Sequence, residues 1–281
     1  MAHVLAISSM VARGHVGLSA TTFPLMRLGH EISALPTVVM AHHPGHAPHP
    51  ARIDMPDLRS VGNDVLNSPR PHPVDSVLVG YIALPAQVPA ITELIAGARF
   101  LKPDIPVLVD PVSGDAGRLY VDSRIVSGVG AKLLPLADII TPNVTELAAL
   151  AAPDRLEEAS HWDRTEVIAR ARTLDVPTVV VTSAPAAAGK QANLIVQPEA
   201  VWCVETPHID VRVNGTGDLL AGLIMAYLLQ GESLPEATAR SAATVVDILE
   251  ATRRSDGDEL ALVTAQEHLA RPATKAVLTR I

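Results

Sequence analysis

Short runs of apolar, β-favouring residues alternate along this chain with longer stretches of helical period. "HVLAIS" (3–8) predicts a first strand, and "LSATTFPLMRLG" (18–29) a helix that stops at glycine. "EISALPTVVM" (31–40) predicts a second strand whose end Pro36 leaves undefined. "SVLVG" (76–80) is a third, followed by a helix over 86–100. "IPVLVD" (105–110) and "ADIIT" (137–141) are the fourth and fifth, and Asn143 then opens a short helix. A helix over 163–174 leads into the sixth, "TVVVTS" (178–183). The runs 192–197 and 200–205 read as an antiparallel pair, and the C-terminal third as helices over 217–230, 235–252 and 264–270. The alternation predicts an α/β fold, a mostly parallel central sheet with helices on both faces. The only linker-like stretch is "AHHPGHAPHPARIDMPD" (41–57). At about 17 residues it reads as a lid-like loop on a single domain spanning 1–281, not as a domain boundary.

Composition narrows this picture. The chain has 281 residues, 48% of them hydrophobic and only 2% aromatic, so Ala, Val, Leu and Ile must build the core. That suits a parallel sheet buried on both faces. The net charge of −8 excludes the basic footprint of a non-specific nucleic-acid binder. It leaves room for a local anion site made of backbone N–H groups. Cys203 is the one cysteine, which rules out an internal disulfide framework and predicts a reduced, cytoplasmic setting. The N-terminus reads as a strand, not a signal peptide, and no run of about 18 apolar residues predicts a membrane span.

In an open parallel sheet, ligands bind beyond the carboxyl ends of the strands. Polar residues gather there: Ser9 after strand one, Thr37 near the close of strand two, and Gly80 and Tyr81 after strand three. Asp110 and Asp115 follow strand four, Asn143 and Glu146 strand five, and Thr182 and Ser183 strand six. Any one of them could be a turn residue or a helix cap. Six strands with the same pattern point to a site.

"VNGTGDLLAGLIMAYLLQG" (213–231) sharpens the chemistry. A helix N-terminus presents unpaired N–H groups and partial positive charge, and glycines let an anion approach the backbone. Gly215, Thr216 and Gly217 therefore form a candidate cradle for a phosphoryl group. Asp218 beside it is a candidate base for an attacking hydroxyl, or simply an acid at a helix start. No Gly-Lys-Ser/Thr follows, so this is not a Walker A loop. G-x-G-x-x-G is missing from the first strand–helix turn, which disfavours a dinucleotide-dependent dehydrogenase.

"NGTGDLLAG" resembles the anion-hole signature of the ribokinase-like superfamily. "ISSMVARGHVGLSA", "PTVVMAHHPG", "VGYIAL", "DPVSGD", "ADIITPNVTEL" and "VVVTSA" resemble, in the same order, its pyridoxal kinase branch over about residues 3–270. The resemblance implies a ribokinase-like fold and ATP-dependent phosphorylation of the 5′-hydroxyl of pyridoxal, pyridoxine or pyridoxamine. It implies Asp218 as catalytic base and Gly215, Thr216 and Gly217 as anion hole. Ser9, Thr37, His43 and Tyr81 would hold the B6 vitamer. Asp110, Asp115, Asn143, Thr182 and Ser183 would lie around the ATP phosphates, with Asp110 and Glu146 toward Mg²⁺. A monovalent cation such as K⁺ is a further candidate, and a homodimer is implied. Met10, Leu18, Ser113 and Thr182 depart from the branch's usual residues and bear on vitamer preference. A hydroxymethylpyrimidine kinase of the same superfamily and a non-catalytic vitamer-binding protein stay open as alternatives.

His42, His43, His46 and His49 do not read as a metal site. Pro44, Gly45, Pro48 and Pro50 forbid the helix that would align them, and no acidic ligand is interleaved. They read as part of the lid, with His43 touching substrate.

Overall fold

The computed structural model describes residues 1–46, 50–68 and 73–281. The first half runs β1 (His3–Val11), α1 (Leu18–Arg27), β2 (Glu31–Met40), β3 (Arg52–Asp54), α2 (Leu58–Leu66), β4 (Ser76–Val79) and α3 (Gln87–Leu101). Then come β5 (Val107–Val109), the small hairpin β6 (Gly114–Asp115) and β7 (Arg118–Leu119), α4 (Ser123–Gly128), β8 (Ile139–Ile140), α5 (Val144–Ala151) and α6 (Arg164–Ala171). The chain closes with β9 (Thr178–Ala184), β10 (Lys190–Val196), β11 (Val201–Pro207), α7 (Thr216–Leu229), α8 (Leu234–Arg254), α9 (Glu267–Ala270) and β12 (Val277–Arg280).

The main sheet has the order β12-β11-β10-β9-β8-β5-β4-β1-β2-β3. From β9 to β2 every pairing is parallel, and the strands added at both edges are antiparallel. Both faces are buried, and the alternation along each strand sorts side chains between them. Val77, Val79, Val107, Val109 and Val179 face α3, α5 and α6, where Ile91, Leu94, Leu147 and Val167 cover them. Val4, Leu78, Leu108 and Val180 face the other way, against Leu25 of α1 and Leu220, Ile224 and Met225 of α7. The expected mostly parallel sheet with helices on both faces is the observed one, and the antiparallel pair is β10–β11. Cys203 is buried within it.

Several boundaries differ from the pattern. Segment 41–57 is not loop throughout: β3 pairs antiparallel with Val38–Met40, and 47–49 lie outside the described residues. Pro36 does not end β2. It sits opposite Ser8, and the register shifts by one residue between Ser8 and Met10, so the ladder resumes past the missing N–H. The last helix is shorter than 264–270, because the stretch before Glu267 forms turns.

Two features of this frame place the site. Strand order reverses at β1, with β2 on one side and β4 on the other. The helices that follow β1 and β4 lie on opposite faces, which opens a crevice at the strand ends. The second feature is α7, buried from Leu219 to Tyr227 between the sheet, α1 and α8. Gly222 allows the close approach to α1: a Cβ there would lie 3.3 Å from Thr21 Cα. Tyr227 anchors the far end, donating to the Leu269 carbonyl at 2.7 Å beneath the Arg240 guanidinium. Tyr227→Phe leaves that buried carbonyl without its partner, and we expect a loss of about 1–2 kcal/mol in urea unfolding with unchanged m-value.

Candidate active site

The N-terminus of α7 points at the crevice. Gly215 caps it in the left-handed region (φ 88°), and a Cβ there would lie 2.0 Å from the His15 carbonyl oxygen. The first intrahelical bond runs from Leu219 N–H to the Gly215 carbonyl (2.9 Å), so the preceding N–H groups face the opening. Gly17 (φ 54°) and Gly80 complete a glycine-walled floor. A Cβ would strike the Ser9 carbonyl at 2.2 Å and Ser8 Oγ at 2.6 Å respectively. Asp218 sits between them, accepting the Gly17 N–H.

The strand ends bring Asp110, Thr141, Asn143, Glu146, Thr182, Asp115, Ser9 and Tyr81 onto one cavity of about 660 Å³ with Gly215–Asp218. Among the described residues, no lysine or arginine pairs with its carboxylates. Burial pushes Asp218 up to about 6. Burial, then the charges of Glu146 and Asp218, raises Asp110 well above the usual carboxylate range, although Thr141 Oγ1 donates to it at 2.9 Å. Among the described lining residues the only arginine or lysine is Arg52, which pairs with Asp54. Such a surplus of buried negative charge suits a bound cation. Among the described residues, however, no group of three His, Cys, Asp or Glu side chains is placed to hold one directly. A divalent ion would have to keep waters and take oxygens from a polyphosphate.

Asn143 and Glu146 show why. They form a reciprocal capping box on α5: Glu146 N–H donates to Asn143 Oδ1, and Asn143 N–H to Glu146 Oε2, both at 2.9 Å. Glu146 also accepts from Ser113 N–H at 3.0 Å and from the Gly114 backbone, and Asn143 Nδ2 donates to the Gly114 carbonyl. Both side chains thus pin the turn that carries Asp110 and Asp115. Asp115 is exposed, with Oδ1 on the Ala116 N–H. Thr182 joins the same end, its N–H on the Pro142 carbonyl. Ser183 lies off the cavity wall, its Oγ accepting from Gln191.

The β1–β2 end is different in character. Val16, Met40 and Tyr81 share a small apolar cluster, with Ser9 and His43 on the wall. His43 Nδ1 accepts the Gly45 N–H at 3.0 Å, which keeps the ring proton on Nε2 as a donor. Burial, then the neighbouring His46, lowers its pKa and keeps it neutral. Thr37 is fully buried and does not line the cavity. Its hydroxyl donates to the Tyr81 carbonyl at 2.8 Å and so holds the Tyr81 loop. Buried Gln87 braces the same loop, accepting from Ala83 and Leu84 N–H. Sequence reasoning missed Arg52 and Tyr120 on the wall and Gln87 behind it, which no local motif marks, and passed over Asn214 although it opens the N-G-T-G-D stretch.

The family profile described as phosphomethylpyrimidine kinase matches residues 64–259. Pyridoxal kinase PdxY of Rubrobacter xylanophilus is 34% identical over 290 residues, covering 99% of this chain and 97% of that protein. PdxY of Corynebacterium diphtheriae is 33% identical over 96% of both chains. The chain belongs to the pyridoxal kinase family of the ribokinase-like superfamily. A solved pyridoxal kinase from Leishmania donovani, in complex with ADP and pyridoxine, superposes with a TM-score of 0.84 at 27% identity over 99% of each chain. The family fold accounts for the frame: one strand-end cavity with a glycine-capped helix at its centre.

Two outcomes follow from the pyridoxal kinase cavity floor. Gly215→Ala forces a side chain into the His15 carbonyl and displaces the helix N-terminus, so ADP release falls about 100-fold or more. Asp218→Asn stabilises the ligand-free protein in a pH-dependent way. An acid with a raised folded pKa keeps its proton longer folded than unfolded, so its share of stability is present at low pH. That share is lost as pH rises from about 3.9 toward about 6. Thermal melts in chelator should show a small gain at pH 4 and a gain of about 3 kcal/mol at pH 8.

Proposed function

We propose that this chain transfers the γ-phosphoryl group of ATP to the 5′-hydroxyl of pyridoxal or a related B6 vitamer, giving pyridoxal 5′-phosphate or its analogue. The observation that carries the reading is Asp218: a carboxylate with no ion-pair partner among the described residues, at the mouth of a glycine-capped helix, on the floor of a cavity with one apolar end and one acidic end suited to a cation. Asp218 takes the hydroxyl proton as the oxygen–phosphorus bond forms and the bond to ADP breaks. The N–H groups at Gly215–Gly217 receive the charge on the transferring group. Tyr81, Val16 and Met40 offer the flat ring an apolar wall, and Ser9 and His43 Nε2–H offer it polar contacts. Asp110, Asp115, Asn143 and Thr182 frame the polyphosphate side. Asp110 and Glu146 would help hold Mg²⁺, which would neutralise phosphate charge, and K⁺ is a candidate second cation. His43 and Pro44, on the wall of the apolar end, would cover the vitamer and exclude water. A homodimer, testable by sedimentation, is part of the same proposal.

The test is ADP release with Mg²⁺-ATP and pyridoxal, pyridoxine, pyridoxamine or hydroxymethylpyrimidine, with and without K⁺. We expect turnover on a B6 vitamer, reduced about 100- to 10 000-fold in Asp218→Asn. The base must be ionised to accept a proton, so kcat/KM should fall as pH drops below about 6 and level off above it. Turnover on hydroxymethylpyrimidine alone would favour the superfamily's pyrimidine kinases, whose profile the chain also matches. Tight vitamer binding without ADP would favour a non-catalytic binder.

A further inference from the structure

Glu259, in the connection between α8 and α9, is remote in sequence from the cavity and does not line it. Its two carboxylate oxygens nonetheless meet two different walls of that cavity. Oε2 accepts the His15 N–H at 2.9 Å, and Oε1 lies 2.9 Å from His46 Nε2. The first contact holds the 13–16 turn, whose His15 carbonyl packs on Gly215 and whose Val16 lines the vitamer end. The second holds the His43–His46 turn, where His43 and Pro44 line the same end. The fit is close. Gly14, at φ 103°, presents its bare face to the carboxylate, and a Cβ there would lie 2.3 Å from Glu259 Oε1. The side chains of Glu259 and His46 are each about a quarter exposed. Among the described residues, the other groups facing His46 are Asp258, at 3.7 Å from Nδ1, and the His43 ring, edge-on at 6.3 Å between centroids.

We propose that Glu259 is a positioning residue for the vitamer: it bridges the 13–16 turn to the His43–His46 turn and holds the two walls at the spacing that fits the ring. A carboxylate can accept from the His15 N–H and from a His46 Nε2–H at once. An amide of the same size has one oxygen, so Glu259→Gln keeps one contact and makes the other depend on His46 moving its proton to Nδ1.

The proposal rests on the kinase reading, and its test separates the two. Glu259→Gln and His46→Ala should each raise KM for the vitamer about three- to tenfold, with kcat and KM for ATP within about twofold. The double variant should be no worse than the stronger single, because both remove one interaction. Unchanged KM in both singles, effects that multiply in the double, or a joint fall in kcat and rise in KM for ATP would each overturn the bridge. If the wild type turns over no vitamer, the kinase reading fails and amide exchange of the ligand-free protein decides. Faster exchange at both 14–16 and 43–46 in each variant supports the bridge, and wild-type exchange at either turn sinks it.

Discussion

A helix that is apolar on every side has to be covered on every side, and the site depends on this. Residues 219–227 of α7 are buried against the sheet, α1 and α8. Such a helix cannot shift to suit a ligand, so its first turn is fixed wherever the packing leaves it. Packing leaves it at the point where strand order reverses, with unpaired N–H groups on a cavity. The glycines follow from that position. Gly215, Gly17 and Gly80 each sit where a Cβ would overlap a neighbouring oxygen. Gly222 sits where α1 and α7 touch.

The same burial that fixes the helix raises the free energy of the carboxylates around it. Asp110 and Asp218 share a small volume with Glu146, and their mutual repulsion is felt in the raised pKa of Asp110. A sequence selected only for stability would place neutral side chains there. Retaining the acids makes sense if the missing positive charge arrives with a metal–nucleotide complex, so that repulsion in the free protein becomes attraction in the loaded one.

Much of this was legible in the sequence, and what was not has a common cause. Strands β1, β4, β5 and β9 announce themselves through local apolar runs, and Asp218 through its glycine-flanked place before an apolar helix. By contrast β3 is Arg-Ile-Asp, three residues too few to carry a pattern, and it pairs along the edge of β2. The α2 helix carries Gly62 and Asn63 in its middle. It forms under an Asp57 cap with Leu58 buried, and Gly62 leaves room for Leu94 of α3. Strand β12 and the β6–β7 hairpin likewise depend on partners far away or on the Asn143–Glu146 box. Arg52, Tyr120 and Glu259 reach the site across the fold, so no spacing along the chain encodes them.

Residues that look like ligand contacts in a motif also divide into two kinds once placed. Asp218 and His43 keep an unshared atom toward the cavity. Thr37 and Glu146 are bound to backbone: Thr37 to the Tyr81 carbonyl, Glu146 to three N–H groups. Were Glu146 to turn toward a metal, it would leave those buried donors unpaired at about 1–3 kcal/mol each, more than a single exchange of ligand oxygens returns. Those bonds keep the turn between Asp110 and Asp115 in shape. Changing Glu146 would disturb the placement of two other acids before it altered any direct contact, which is why a motif match assigns its neighbourhood more securely than its role.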